Sequence, residues 1–267
     1  MNKYWLSVRL EISRVMEYRW NFLLRLGVNS LIPLTIKIYL FNAFFTLTGK
    51  LTAGGYDKDS MLAYQLWGAV VITLVEIRST VENVSADIRL GRITRYLLYP
   101  ISMFEVTSCQ WVGSLLVQTL CAVVAIPVIV MIWPEFPLHW ETPAFWLGLG
   151  YALLGSLFWF LIHFTIGLTS FWLDEIWTLF VMFQFTARFA SGNPFPLTWF
   201  PPWFQDLSPF LPTHWMFFAP VQLLASGTMQ TADLAGLLIM PLWCLGLVIV
   251  HRKIWNRGVR MYSASGM

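Results

Sequence analysis

Long apolar runs separated by short polar stretches set the pattern of this chain. A helix needs roughly 20 mainly apolar residues to cross a hydrocarbon core about 30 Å thick, since each residue adds about 1.5 Å of rise. Six stretches read as such helices: Phe22 to Phe45, Met61 to Ile77, Met103 to Ile132, Ala144 to Phe171, Ile176 to Ser191 and Leu234 to Val250. They predict an all-α membrane protein in which residues 1–267 form one transmembrane domain, without interdomain linker, internal repeat or low-complexity tract.

Two further segments are apolar in a different way. From Lys3 to Trp20, the residues Trp5, Val8, Ile12, Val15, Met16 and Arg19 recur near one helical face, while Arg9, Glu11, Ser13 and Glu17 lie mostly elsewhere. Residues 1–20 are expected to form an amphipathic helix along the inner membrane surface, too charged for full insertion. Between Gly192 and Gly227 come Pro194, Pro196, Trp199, Pro201, Pro202, Trp203, Pro209, Pro212, Trp215 and Pro220. Proline at that density breaks any single spanning helix, yet the segment is too apolar for a free aqueous loop. Residues 192–227 are expected to dip into the outer face as short re-entrant helices, their backbone satisfied by protein or a water-filled cavity.

Composition places the chain in lipid: 57% of residues are apolar and only 12% charged, against about a quarter charged in an average soluble domain. The mean hydropathy of +0.63 agrees, and the 15 Trp and 21 Phe suit the membrane–water boundary. A net charge of +3 is too small to point to nucleic acid, so the placement of the basic residues matters more than their sum. Lys3, Arg9, Arg14 and Arg19 precede the first predicted span; Arg78, Arg89, Arg92 and Arg95 lie between the second and third; Arg252, Lys253, Arg257 and Arg260 follow the last. Six spans put all three groups on one side, which basic loop residues mark as cytoplasmic, and both termini are expected there. Five spans would place the basic tail on the side otherwise poor in Lys and Arg. Charges scattered through the first twenty residues leave no core for a cleavable signal peptide, so the mature chain is expected to begin near Met1.

The motifs of soluble catalysis are missing from the sequence. Gly49-Lys50 lacks the upstream glycine and the following Ser or Thr of a phosphate-cradling GxxxxGK[ST] loop, so ATP binding of that kind is not expected on this chain. Neither HExxH nor GxSxG occurs, and Cys109, Cys121 and Cys244 sit in apolar runs without metal or disulfide spacing, which makes them small packing residues. Charges inside spans are costly and mark candidate sites. Lys37, well inside the first predicted span, reads either as a cation lining a translocation path or as a snorkelling or structurally paired side chain. Arg25 and Arg188 lie near span ends from which they could reach headgroups, Glu105 starts the third span, and His163 reads as a packed polar residue. The loop after the second span carries Glu76, Arg78, Glu82, Asp87, Arg89, Arg92 and Arg95, interrupted by Val81, Val84, Ile88, Leu90 and Ile93. Charges of both signs with helical apolar spacing describe either a surface helix that meets a partner or a plain solvated face.

The stretch IRLGRITRYLLYPIS, Ile88 to Ser102, resembles the cytoplasmic connection between the second and third helices of type-2 permeases of bacterial ATP-binding-cassette exporters. FPLTWFPPWFQDLSPFLPTHWMFFAPVQLLASG before the last helix and WNRGVRMYSASGM at the carboxyl end are similar to the same group, the latter through Gly258, Tyr262, Ser263 and Gly266. The resemblance implies a six-helix permease of the bacterial cytoplasmic membrane, paired with a second permease, identical or related, and driven by a cytoplasmic ATPase dimer that holds ATP and Mg, with no cofactor on this chain. It also implies a coupling element within residues 76–101. There Val84 and Ile88 would anchor in an ATPase groove, Glu82, Arg89 and Arg92 would orient the helix by charge, and Gly91 would supply a bend. Two other classes remain: an ion-gradient-driven secondary transporter, which lacks its usual buried acids here, and a lipid-modifying enzyme using Glu135, His139, Glu141, Asp206 and His214.

Overall fold

A computed structural model describes residues 3–17, 28, 31–49, 51–76, 80–98 and 100–262, with only the backbone at 80 and 81. Among the described residues the fold is all-helical, without strands. The chain forms α1 (Lys3–Glu17), α2 (Ile32–Thr48), α3 (Lys58–Val75), α4 (Thr80–Arg89), α5 (Thr94–Leu98), α6 (Met103–Ile132), α7 (Pro143–Leu168), α8 (Trp177–Ala190), α9 (Pro202–Leu207), α10 (Ala219–Ser226) and α11 (Gly236–Met261).

Local chemistry sets several of the starts. Asp57 and Ser60 cap α3 reciprocally, and Ser102 with Glu105 does the same for α6, each pair satisfying amide groups that the first turn leaves open. Thr142 caps α7, with Pro143 entering the first turn, where a missing amide hydrogen costs nothing. Among the described residues three helical stretches are long and apolar enough to cross a membrane: Met103–Ile132, Pro143–Phe171 and Thr231–Met261. The described parts of the other three predicted spans are shorter. Helix α2 has 17 described residues, its predicted start at Phe22 and Arg25 lying outside the described residues, and α3 has 18. Helix α8 has 14 residues, a rise of about 21 Å, which is less than a bilayer core.

Helix α7 is the hub. Tyr151, Ala152, Ser156, Trp159, Phe160 and Phe164 are all buried along it, with α3, α4, α10 and α11 packed around it. Small residues permit close approach where no hydrophobic force separates helix from lipid. A Cβ on Gly155 would stand 3.0 Å from the Cα of Met216. Met216 belongs to a π-helical turn, His214–Phe218, inside the proline-rich segment. That segment breaks as its prolines require, into short helical turns including α9 and α10, and it is pinned to the α2–α3 loop. Trp199 Nε1 donates to Ala53 O at 3.2 Å, and Tyr56 donates to Gln222 Oε1 at 2.6 Å.

Helix α1 runs lengthwise beside the first half of α6: Lys3 Nζ donates to Pro100 O at 2.6 Å, Tyr4 to Glu105 Oε1 at 2.7 Å, and Ser114 to Glu11 Oε1 at 3.3 Å. Gly113 lets α1 approach, since a Cβ there would lie 3.1 Å from Val8 O. The contact buries Val8 and Glu11, while Trp5 and Met16 of the predicted apolar face stay exposed. That face is therefore divided between α6 and the surroundings; Arg19 lies outside the described residues.

Candidate coupling loop and charged seam

Between α3 and α6 the loop folds into a block rather than a free connection. In α4, Val84 and Ile88 point inward with Ile93 onto Met103, Phe164 and Leu168, and the end of α11 closes over them through Ile254, Trp255 and Tyr262. Ser170 donates to Ser85 at 2.8 Å within the same contact. Gly91 turns the chain at φ +70°, a left-handed conformation that a side chain would strain. Its carbonyl accepts from the Tyr262 hydroxyl at 3.0 Å, which latches the last helix to the turn. Asp87, 7% exposed, gathers the far side: Arg92 Nε lies 3.0 Å and Arg95 Nη2 2.5 Å from its carboxylate, and Tyr96 donates to it at 2.8 Å. Burial, and then the bond to Asp87, holds the Tyr96 phenol above its ordinary value, so it remains a neutral donor at physiological pH.

The anchor role expected of Val84 and Ile88 is corrected by this packing. At 0% and 5% exposure they fill the chain's own core, because the apolar stripe of α4 faces α7 and α11. Glu82, Arg89 and Arg92 are exposed, and Arg92 is tied to Asp87. Among the described side chains the large apolar groups left exposed on the block are Leu90, Leu97 and Leu98, at 67%, 49% and 78%. Sequence periodicity revealed the apolar stripe without showing which neighbour covers it. Arg78 lies outside the described residues.

A second group of polar residues lies where α2, α3 and α8 meet. Lys37 Nζ donates to both the backbone and the side-chain oxygen of Asn193, each at 2.7 Å, just beyond the end of α8. The cation thus sits at the partial negative charge of a helix C-terminus. Tyr64 of α3 donates to Gly192 O at 2.8 Å beside it. Arg188, in the last turn of α8, grips Glu76 in a two-pronged pair: Nε lies 2.7 Å from Oε1, and Nη2 binds Oε2. The Glu76 side chain is 8% exposed and that of Arg188 37%. Lys37 thus takes the structurally paired arrangement, and Arg188, expected to reach headgroups, instead binds a carboxylate of its own chain. Glu76, expected to open the coupling loop, is the residue that closes α3.

His163 is buried on α7, its Nδ1 2.6 Å from Trp159 O and its Nε2 without a partner among the described residues, beside Trp159, Phe180 and Phe183. Of the residues considered for lipid chemistry, His214 Nδ1 lies 3.1 Å from Ser208 Oγ. Among the described residues, no group of three His, Cys, Asp or Glu could hold a metal ion.

A family model described as ABC-2 family transporter protein matches residues 31–266. The chain belongs to this family. It is therefore an ABC-2 permease, the membrane translocation component of an ATP-binding-cassette transporter and a multi-pass membrane protein, from a family that works with an ATP-binding-cassette ATPase. The matched stretch takes in the loop block, the charged seam and Tyr262 of the ABC-2 permease, and begins just before α2. No curated protein matches the ABC-2 permease.

Proposed function

We propose that this permease is half of the translocation path of an exporter in a bacterial cytoplasmic membrane. A second permease, identical or related, completes the path, and a cytoplasmic ATPase dimer holding ATP and Mg drives it. In this reading the chain has six spans with both termini cytoplasmic, α1 lies at the inner interface, and residues 192–227 re-enter from the outer face. Closure of the ATPases pushes on the block from α4 to α5, and the permease pair alternates between inward-open and outward-open or closed forms. Glu82, Arg89 and Arg92 orient the contact by charge, Leu90, Leu97 and Leu98 supply apolar area, and Gly91 holds the turn between the two helices. Val84 and Ile88 serve it from behind, by fixing the block to α7. Lys37 lies along the path, where an anionic cargo group would compete with Asn193 for its ammonium.

The observation that carries this reading is the construction of the loop: its apolar residues and the Tyr262 latch pack it against α7 and the end of α11, while charged residues and leucines remain outside. A solvated connector needs no such frame. The test is to purify the complex with Arg89→Glu, Arg92→Glu or Gly91→Leu. At least one reversal should lower ATPase retention about tenfold, equivalent to about 1.4 kcal/mol, with membrane insertion unchanged. Wild-type retention and coupling in all three variants would make the loop a connector and end the proposal.

A further inference from the structure

Helix α8 is attached to the rest of the chain in an unusual way. Only Ala187 is fully buried among its residues, and Leu179, Val181, Met182 and Phe185 are exposed along it. Apolar packing holds it along one narrow face only, through Phe180 and Phe183 against Trp159, Ile162 and His163 of α7. What holds its end are polar attachments: Lys37 to Asn193 just beyond it, and the two-pronged Arg188–Glu76 pair in its last turn. A guanidinium bound through two nitrogens to both oxygens of a carboxylate fixes orientation as well as distance. With the Glu76 side chain almost wholly buried, water screens the pair little on that side.

The position of Glu76 gives the pair its consequence. It closes α3, and α4 begins four residues later at Thr80. Four residues of backbone reach at most about 14 Å even when fully extended. The start of α4 is thus on a short tether to the carboxylate that holds α8. From the other side, α4 is packed through Val84 and Ile88 onto α7.

We propose that the Glu76–Arg188 pair is a transmission link, carrying movement of the α4–α5 block directly to α8. Glu76 and Arg188 are positioning residues in this role: neither need touch cargo or nucleotide. The inference rests on the coupling reading above and adds its output, namely which helix the loop moves.

Hydrogen exchange on the reconstituted permease–ATPase complex separates the two. It is measured with and without ATP, Mg and orthovanadate, on peptides covering residues 80–98 and residues 177–190. In the wild type, nucleotide trapping should change exchange in both segments. In Glu76→Gln the change at residues 80–98 should persist and the change at residues 177–190 should be lost. The exchanged pair Glu76→Arg with Arg188→Glu should restore it, and it serves as the second variant should Glu76→Gln assemble poorly. A merely structural pair would alter α8 exchange equally with and without nucleotide, and that result overturns the link. So does a full nucleotide response of α8 in Glu76→Gln. A wild-type loop that ignores nucleotide defeats the coupling reading itself, and the link with it.

Discussion

Helices α7 and α8 follow one another in the chain and are both apolar, yet they are held in opposite ways. Over its most apolar window α7 is 56% buried, whereas α8 buries only Ala187 completely. The first is fixed by steric fit, with glycines set against the backbone and side chains of its neighbours; the second meets it along a narrow aromatic face and is tied down by a few charged and polar groups at one end. Apolar surface facing lipid gains little by leaving it, so packing detail and polar bonds decide which helices are rigid. A well-packed hub with a polar-tethered neighbour suits a permease that must keep a frame while one element moves.

The largest effect should come from crowding the hub. Gly155→Leu forces a side chain against Met216 Cα and O, at 3.0 and 3.1 Å from the first added carbon, and should cost about 3 kcal/mol or more. Gly150, on the same helix, has nothing within 4 Å of that position. Gly150→Ala should therefore be neutral or raise stability by up to about 1 kcal/mol through helix propensity. Thermal unfolding of the two variants in one detergent checks the pair; equal losses would mean that α7 is not packed as described.

Cutting the polar tether should rank second. Glu76→Gln leaves Arg188 without its partner, but the Arg188 side chain is 37% exposed, so the cost should be about 1 to 3 kcal/mol, below that of a fully buried orphaned charge. Protease accessibility within residues 177–190 should rise while that of residues 143–168 stays unchanged. Tyr262→Phe comes third. It removes one hydrogen bond to Gly91 O, worth about 1 kcal/mol, and should loosen residues 80–98 in hydrogen exchange without lowering the unfolding temperature of the bundle by more than a few degrees. Smallest of all, Phe185→Ala on the exposed side of α8 should change the stability of the isolated permease by no more than about 0.5 kcal/mol. A larger loss would show that α8 is packed within the single chain after all.

Hydropathy and proline placement made much of the frame legible. The third predicted span coincides with α6, the fourth starts one residue inside α7 and runs three residues past its end, to Phe171, and the proline-rich stretch breaks into short turns as its prolines demand. The last predicted span ends at Val250, yet α11 runs on to Met261, since its basic residues favour the end of a helix and need not enter lipid. Direction within the bundle was not legible. Periodicity gives α4 an apolar stripe, but whether Val84 meets a partner protein or Phe164 of its own chain depends on tertiary approach. The Glu76–Arg188 pair joins residues 112 apart. Its one sequence signal was that Arg188 is the sole charge between Ile176 and Ser191, a stretch where a cation wants an anion close by.

In the proposed mechanism an ATPase grips the exposed surface of the block formed by α4 and α5. Site-specific photocrosslinking in the assembled transporter tests it most directly, with a photoreactive residue placed in turn at Leu90, Leu98 and Val84. Contact through that surface predicts crosslinks to the ATPase from Leu90 and Leu98, both exposed, and none from Val84, which is wholly buried. An ATPase that copurifies but crosslinks to neither leucine, or one that crosslinks from Val84 instead, would contradict it.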